Sequence, residues 1–120
     1  YYLAIIILII LYLYPGSLIG YFLYGNFGAQ PKIISNPIGT SINHLFFFSL
    51  ITVLAKSLKD KVNLFFIDIK FILFLSIFLE LSHLIIPNRA FEYFDLFGNV
   101  SGVLIVIVIF KLFKLFKWRN

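Results

Sequence analysis

The chain of 120 residues contains no cysteine and no methionine, and only 12% of its residues are charged. The absence of cysteine excludes disulfides, thiolate metal ligands, cysteine nucleophiles and palmitoylation. Soluble domains usually have about a quarter of their residues charged, so the scarcity of charge predicts a membrane protein. Because methionine is absent, we expect that Tyr1 is not the start of the gene product and that the first helix is truncated.

Apolar residues make up 62% of the chain and are concentrated in four long runs. A membrane-spanning helix needs about 20 predominantly apolar residues. The runs are close to this length, at 1–24, 42–58, 62–86 and 96–116, and they lack the alternating polarity of barrel strands. The sequence therefore predicts an all-α fold, in which residues 1–120 form one integral membrane domain, a polytopic transmembrane bundle of about four helices.

Turn and capping residues refine the ends of these helices. Pro15 and Gly16 interrupt the first run, which predicts that its helix is broken there. Thr40 or Ser41 is predicted to cap the second helix through its hydroxyl group. The fourth helix is predicted to begin after Asp95.

Basic residues are distributed unevenly among the predicted connections. Only Lys32 and Arg89 lie on one side of the membrane. The other side carries Lys56, Lys59, Lys61, Lys111, Lys114, Lys117 and Arg119. Since basic loops stay in the cytoplasm, we predict a bacterial inner-membrane protein with a cytoplasmic C-terminus and with the 80–99 region at the exterior or periplasmic side. This distribution accounts for the net charge of +5, so no nucleic-acid partner is predicted.

The C-terminal basic residues recur at short intervals among Leu, Phe and Trp. They are Lys111, Lys114, Lys117 and Arg119. Such a basic amphipathic end binds the surface of anionic lipid. We predict that it is a lipid anchor, with membrane lipids as its partners.

Polar residues interrupt the apolar pattern at the junction between the third and fourth runs. Ionisable groups at membrane depth are costly and usually mark function, so this junction is the predicted site. The predicted orientation places it on the same membrane face as the start of the second helix. We therefore predict a polar pocket formed by His44, Glu80, His83, Arg89, Asp95 and Asn99.

The spacing within this junction indicates how its residues meet. Two polar stripes follow the helical period, formed by Ser76, Glu80 and His83 on the third helix and by Asp95, Asn99 and Gly102 on the fourth. We expect the two stripes to face each other, with Arg89 as the counter-charge of Glu80 or Asp95. Ser101 and Gly102 are predicted to let these helices pack closely.

The same residues include types that bind metal ions. Glu80 and His83 have the Glu-x-x-His spacing of di-iron bundles, but a second copy of that motif is missing. A single zinc ion held by His44, Glu80 and His83 is the other option. Histidines that form hydrogen bonds at a membrane interface are favoured, so neither a metal nor another cofactor is predicted.

A fixed spacing runs through the junction. It is Glu80-x-x-His83, Pro87-x-Arg89 and Asp95-x-x-x-Asn99-x-x-Gly102. This pattern, which covers about the last third of the chain, resembles the signature of the VanZ-like membrane proteins. In that family a glutamine stands in place of His83 and a second glycine in place of Val106. The resemblance implies a small polytopic helical protein, associated through the family's namesake with low-level glycopeptide (teicoplanin) resistance.

Three functions agree with these features. The favoured one is a VanZ-like protein whose exterior pocket binds a polar or anionic cell-envelope ligand or a lipid head group, with Arg89 in contact with any anionic group. The second is an accessory subunit of a larger membrane complex, or a homo-oligomer, in which the 16 phenylalanines pack against partner helices. The third is an intramembrane enzyme with Glu80 or Asp95 as acid or base, and it is disfavoured.

Overall fold

The computed structural model describes residues 1–31, 39–59 and 67–117, without the side chain of Lys117. Within these ranges the chain forms five α-helices and no strand, which confirms the all-α prediction for this part of the chain. The helices are α1 (Tyr2–Leu13), α2 (Leu18–Tyr24), α3 (Gly39–Lys59), α4 (Ile69–Ser82) and α5 (Tyr93–Lys117).

The first apolar run is broken where the sequence predicts. α1 and α2 meet at 85° across the Pro15 and Gly16 turn. Gly16 has a φ of +108°, a conformation that residues with a Cβ rarely adopt. Ser17 then begins α2 by accepting a hydrogen bond from the amide of Gly20 at 2.9 Å. By length and composition the run is either one broken span or a re-entrant loop.

Among the described residues, two helices are long and apolar enough to cross a membrane: α3, and α5 over Tyr93–Phe116. The bent α1–α2 pair is a third candidate if its two parts form one span. Both single helices begin earlier than predicted, so Thr40, Ser41 and Asp95 all lie inside helices. The capping role predicted for Thr40 or Ser41 is wrong, because both hydroxyl groups instead donate to the Asp95 carboxylate.

α4 is shorter than the predicted third helix. Its 14 residues extend about 21 Å, whereas the hydrocarbon core of a bilayer is about 30 Å thick. Asp68 caps its start through the amide of Lys70, and 62–66 lie outside the described residues. After Ser82 the backbone tightens into turns, and Asn88 takes a left-handed φ of 59°. The described residues therefore form an all-helical fold with two long apolar helices. They do not confirm the predicted polytopic bundle of about four helices.

The helices converge with alternating directions. α3 and α5 run side by side in the same direction, with Gly98 against Ser41 and Gly102 against Leu45. α4 runs opposite to α5, and Ser76 of α4 lies beside Asn99. The apolar core between them includes Ile5, Leu8, Phe48, Ile51, Ala55, Ile72, Leu75, Leu79 and Val103. One end of this core, where α1 and α4 finish and α3 and α5 begin, is polar.

Candidate functional site

The polar end of the core contains five buried side chains that hydrogen-bond within one network. Glu80 and Asn99 have no exposed surface, and His83, Asp95 and Tyr12 are at most 6% exposed. His44 is half-buried beside them. Every buried side-chain nitrogen and oxygen in the described residues has a hydrogen-bond partner. We call His44, Glu80, His83, Asp95, Asn99 and Tyr12 the polar cluster.

Asp95 links α5 to the start of α3. Its Oδ1 accepts hydrogen bonds from the hydroxyl groups of Ser41 at 2.6 Å and Thr40 at 3.4 Å. Its Oδ2 lies 3.5 Å from Nε2 of His44, within ion-pair distance. Asp95 also lies in the first turn of α5, where the helix dipole favours a negative charge. The carboxylate therefore fastens two long helices together at their N-terminal ends.

Tyr12 and Asn99 form the centre of the polar cluster. The Tyr12 hydroxyl donates to Oδ1 of Asn99 at 2.6 Å and lies 2.8 Å from Nδ1 of His44. Nδ2 of Asn99 donates to the carbonyl of Ser76 at 3.2 Å and to Oε2 of Glu80 at 3.4 Å. These bonds join α1, α3, α4 and α5 in one network.

Glu80 and His83 complete the polar cluster on the α4 side. Oε1 of Glu80 accepts from the amide of Glu92 at 3.3 Å and lies 3.4 Å from Nδ1 of His83. Nε2 of His83 is 3.1 Å from the carbonyl oxygen of Tyr12, and the two rings are stacked with centroids 5.6 Å apart. Both ring nitrogens of His83 and both oxygens of Glu80 are thus engaged inside the protein.

Arg89 has other partners than the predicted carboxylates. Its guanidinium donates to the backbone carbonyls of Leu11 at 2.5 Å and Tyr14 at 3.2 Å, at the end of α1. Carbonyls at a helix C-terminus lack helical partners and carry partial negative charge, so they attract a cation. Arg89 forms no ion pair with a carboxylate of the described residues. Burial lowers the pKa of Arg89 because desolvation disfavours its charged form, although arginine stays protonated in proteins.

A pocket of about 80 Å³ lies between the bend of the first run, the start of α3 and the polar cluster. We call it the Arg89 pocket. Its polar wall consists of Tyr12, Ser17, Gln30, Thr40, Asn43, His44, His83 and Arg89. Its apolar wall includes Leu8, Leu11, Leu18, Ile19 and Phe47. Of the predicted site residues, His44, His83 and Arg89 therefore line the pocket, whereas Glu80, Asp95 and Asn99 are buried and do not line it.

Close helix packing centres on glycine as predicted, but Gly98 matters as much as Gly102. A Cβ atom at Gly98 would lie 2.5 Å from the carbonyl oxygen of Ser41, and one at Gly102 would overlap the carbonyl of Leu45. Ser101 is half-buried on the intervening turn. The partner of this packing is α3, whereas the sequence indicated α4.

Of the predicted lipid anchor, Lys111 and Lys114 are exposed near the end of α5. The side chain of Lys117 and the whole of Arg119 lie outside the described residues. The predicted anchor lies at the end of α5 opposite to the polar cluster.

In the described ranges, no group of three or more His, Asp or Glu side chains is arranged to hold a metal ion.

Sequence reasoning missed Tyr12 and Gly98. Tyr12 lies in an apolar run, where tyrosine is typical of an aromatic belt, so nothing local marked it as the centre of a polar network. Gly98 did carry a signal, because Gly98 and Gly102 have the small-xxx-small spacing of close helix pairs. The polar role of Tyr12 thus depends on long-range contacts, whereas the close packing at Gly98 follows from a known sequence spacing.

No protein-family model, curated protein or solved structure matches the chain. Its function is therefore inferred from the geometry of the polar cluster and of the Arg89 pocket.

Proposed function

We propose that this chain is a polytopic helical membrane protein, VanZ-like in organisation, that binds the anionic head group of a membrane amphiphile in the Arg89 pocket. The long apolar helices α3 and α5 support membrane insertion. In the proposed orientation the polar cluster faces the exterior or periplasm and the basic end of α5 faces the cytoplasm. The amphiphile is a lipid or a lipid-linked envelope precursor.

The main support for this proposal is the position of Arg89 and the contacts of its guanidinium. Its guanidinium lines a pocket, is fixed by two backbone carbonyls and has no ion-pair partner among the described residues. A guanidinium has five N–H donors in a planar fork, which matches phosphate and carboxylate oxygens. A cation that is partly desolvated and has no carboxylate in ion-pair contact gains free energy when an anion binds beside it.

The size and lining of the Arg89 pocket indicate how much of the ligand enters it. Drug-sized ligands occupy about 300–1,000 Å³, whereas this pocket holds about 80 Å³. It therefore accommodates a compact anionic group, and the remainder of the ligand lies outside. The apolar side chains in the wall of the same pocket, among them Leu8, Leu11 and Leu18, suit the start of an acyl or prenyl chain.

The polar cluster has a supporting part in this function. The two carbonyls that hold Arg89 belong to Leu11 and Tyr14, which flank Tyr12. Tyr12 is itself held by Asn99 and by His83. The cluster thus fixes the end of α1, and through it the position of the guanidinium.

An acid–base role at a substrate receives less support. Glu80 is fully buried, and Asp95 is 5% exposed with both oxygens engaged. Their positions suit proton sharing within the cluster more than contact with a bound substrate. Binding is therefore the proposed activity.

The test compares lipid binding by the wild-type protein and by Arg89→Gln in detergent, using native mass spectrometry with phosphatidylglycerol and phosphatidylcholine. A charge-assisted hydrogen-bonded contact contributes about 1.5–3 kcal/mol, so Arg89→Gln should weaken binding of the anionic lipid about 10- to 100-fold. The matched control is Lys111→Gln, which removes one positive charge far from the pocket.

Equal loss in both variants would mean that only net charge matters and would contradict the proposal. Unchanged anionic-lipid binding by a folded Arg89→Gln protein would contradict it as well. Circular dichroism and size-exclusion chromatography establish that each variant is folded before its binding is compared.

The exposed end of α5 favours a second candidate, an accessory subunit of a membrane complex. Its apolar side chains are at least 37% exposed, and they are Val108, Ile109, Phe110, Leu112, Phe113, Leu115 and Phe116. Such a surface contacts either lipid or partner helices. Purification of the tagged chain from its native membrane in gentle detergent distinguishes the two, because a subunit brings stoichiometric partners with it.

A further inference from the structure

The anion-binding proposal leaves the two histidines and two carboxylates of the polar cluster unused as acids and bases. We propose that this cluster is a proton-binding site, in which the His83–Glu80 and His44–Asp95 pairs each hold one proton more than a neutral imidazole and an ionised carboxylate. These protons are required by the hydrogen-bond donors and acceptors of the cluster, whether or not an anion is bound in the Arg89 pocket.

The hydrogen bonds of His83 require a shared proton. Its Nε2 lies 3.1 Å from the carbonyl oxygen of Tyr12, which can only accept, so Nε2 carries a hydrogen. A neutral His83 then has a bare Nδ1, and this atom lies 3.4 Å from Oε1 of Glu80. Two acceptors facing each other in a buried site repel, so a proton lies between them, on the imidazole or on the carboxyl group.

The same reasoning applies to His44. The amide of Asn99 is oriented by its donation to the Ser76 carbonyl, so Oδ1 of Asn99 is the atom that faces Tyr12. The single Tyr12 hydroxyl hydrogen is used in that 2.6 Å bond, and the hydroxyl oxygen must accept from Nδ1 of His44 at 2.8 Å. A neutral His44 then has a bare Nε2, which lies 3.5 Å from Oδ2 of Asp95. A second proton is therefore needed between His44 and Asp95.

Charge balance agrees with this assignment. The groups that face the two pairs are the Tyr12 hydroxyl from α1 and Arg89 from the loop after α4. With the extra protons each histidine–carboxylate pair is neutral as a whole. Without them, the cation near the two buried carboxylates in the described part of the chain would be Arg89, which forms an ion pair with neither. Buried charges are tolerated in proteins when they are paired in this way.

The two pairs form one continuous chain of proton-binding groups. Oε2 of Glu80 lies 3.5 Å from Nδ1 of His44, so the order is Asp95, His44, Glu80, His83. Both histidines line the Arg89 pocket, which gives protons an access route. Alternating carboxylates and histidines inside a helical membrane protein are typical of proton relays.

The test uses the two-histidine content of the chain, because nitrogen NMR of the ¹⁵N-histidine-labelled protein contains signals from only two rings. Spectra in lipid bilayers near neutral pH should show either doubly protonated rings, or His83 with hydrogen on Nε2 and His44 with hydrogen on Nδ1. In the latter case the infrared spectrum should contain the band of a protonated carboxyl group for each pair. His44→Gln and His83→Gln assign the signals.

Neutral rings together with ionised carboxylates would overturn the proposal, as would the opposite tautomers. Variants give a second readout: Asp95→Asn should abolish the extra proton at His44 and retain the one at His83, and Glu80→Gln should do the reverse. Loss of both protons, or of neither, in a folded variant would contradict two separate proton-holding pairs. The wild-type spectrum decides the matter even if these variants do not fold.

Discussion

At the scale of single residues, Tyr12 has the largest structural influence in the polar cluster. One hydroxyl group contacts Asn99 and His44, while its backbone carbonyl accepts from His83. The aromatic ring also packs against Phe48 with centroids 5.9 Å apart. Tyr12 therefore combines a packing role with a polar one, which a phenylalanine cannot reproduce.

We predict that Tyr12→Phe destabilises the protein by about 1–3 kcal/mol, because it removes two buried hydrogen bonds and leaves Oδ1 of Asn99 and Nδ1 of His44 with only each other, at 3.1 Å. Unfolding in mixed micelles, followed by circular dichroism, measures the change. Tyr24→Phe is the matched control, since Tyr24 is 62% exposed and its change should have little effect. Equal stability of the Tyr12 variant and wild type would show that the hydroxyl group is dispensable.

The sequence predicts part of the site at this scale. The stripes of polar residues on α4 and α5 follow the helical period, so Glu80 and Asn99 could be expected to meet, and they do. The partners of Arg89 could not be predicted, because they are backbone carbonyls exposed only by the break after α1. Periodicity identifies which face is polar, whereas the tertiary fold decides which atoms are in reach.

At the scale of elements, the pairing of α3 with α5 positions the polar cluster. Gly98 and Gly102 bring the α5 backbone against the carbonyls of Ser41 and Leu45. This close approach places Asp95 within reach of Ser41 and His44. In a membrane, such small-residue contacts drive helix association because lipid removes the hydrophobic contribution.

We predict that Gly98→Val separates α3 from α5 and destabilises the protein by about 1–3 kcal/mol, since the new side chain overlaps backbone that cannot move aside. Unfolding in mixed micelles gives the free energy, and the two-ring histidine spectrum reports whether the Asp95 contact to His44 is lost. Ser101→Ala tests the neighbouring position and should change stability by less than about 0.5 kcal/mol. A larger effect of Ser101→Ala than of Gly98→Val would refute the assigned packing.

Helix breaks were predictable to different degrees. The turn at Pro15 and Gly16 has a local cause, so the sequence predicts it correctly. The early end of α4 has no such local signal, because Leu84, Ile85 and Ile86 are as apolar as the helix before them. These residues instead form turns with bonds from Leu84 to Leu81 and from Ile85 to Ser82. An apolar run thus gives an upper limit to helix length, and its composition does not fix the residue at which the helix ends.

At the scale of the whole molecule, charge and polarity are separated along the long axis of the helices. The polar cluster and the Arg89 pocket lie at one end, while Lys56, Lys59 and the exposed Lys111 and Lys114 lie towards the other. In a membrane this separation corresponds to the positive-inside distribution. It supports the proposed orientation with the pocket at the exterior.

We predict that Gln30→Cys is labelled by a membrane-impermeant maleimide added outside intact bacterial cells, whereas Ser57→Cys is labelled only after lysis. Gln30 is exposed at the pocket end and Ser57 is exposed at the basic end of α3. The chain has no native cysteine, so the unmodified protein is the background control. The reverse pattern would contradict the orientation, and labelling of both sites from outside would contradict a span between them.

The parallel contact of α3 with α5 also has a consequence for biosynthesis. Ribosomes make α5 after α1, α3 and α4, so Tyr12, His44 and Glu80 are synthesised before Asn99 and Asp95 exist to complete their hydrogen bonds. Until the Gly98 and Gly102 surface docks, the nascent chain carries unsatisfied polar groups that are costly in lipid. Docking of α5 is thus the step that gives these polar groups their partners and turns a polar intermediate into a helix assembly compatible with lipid.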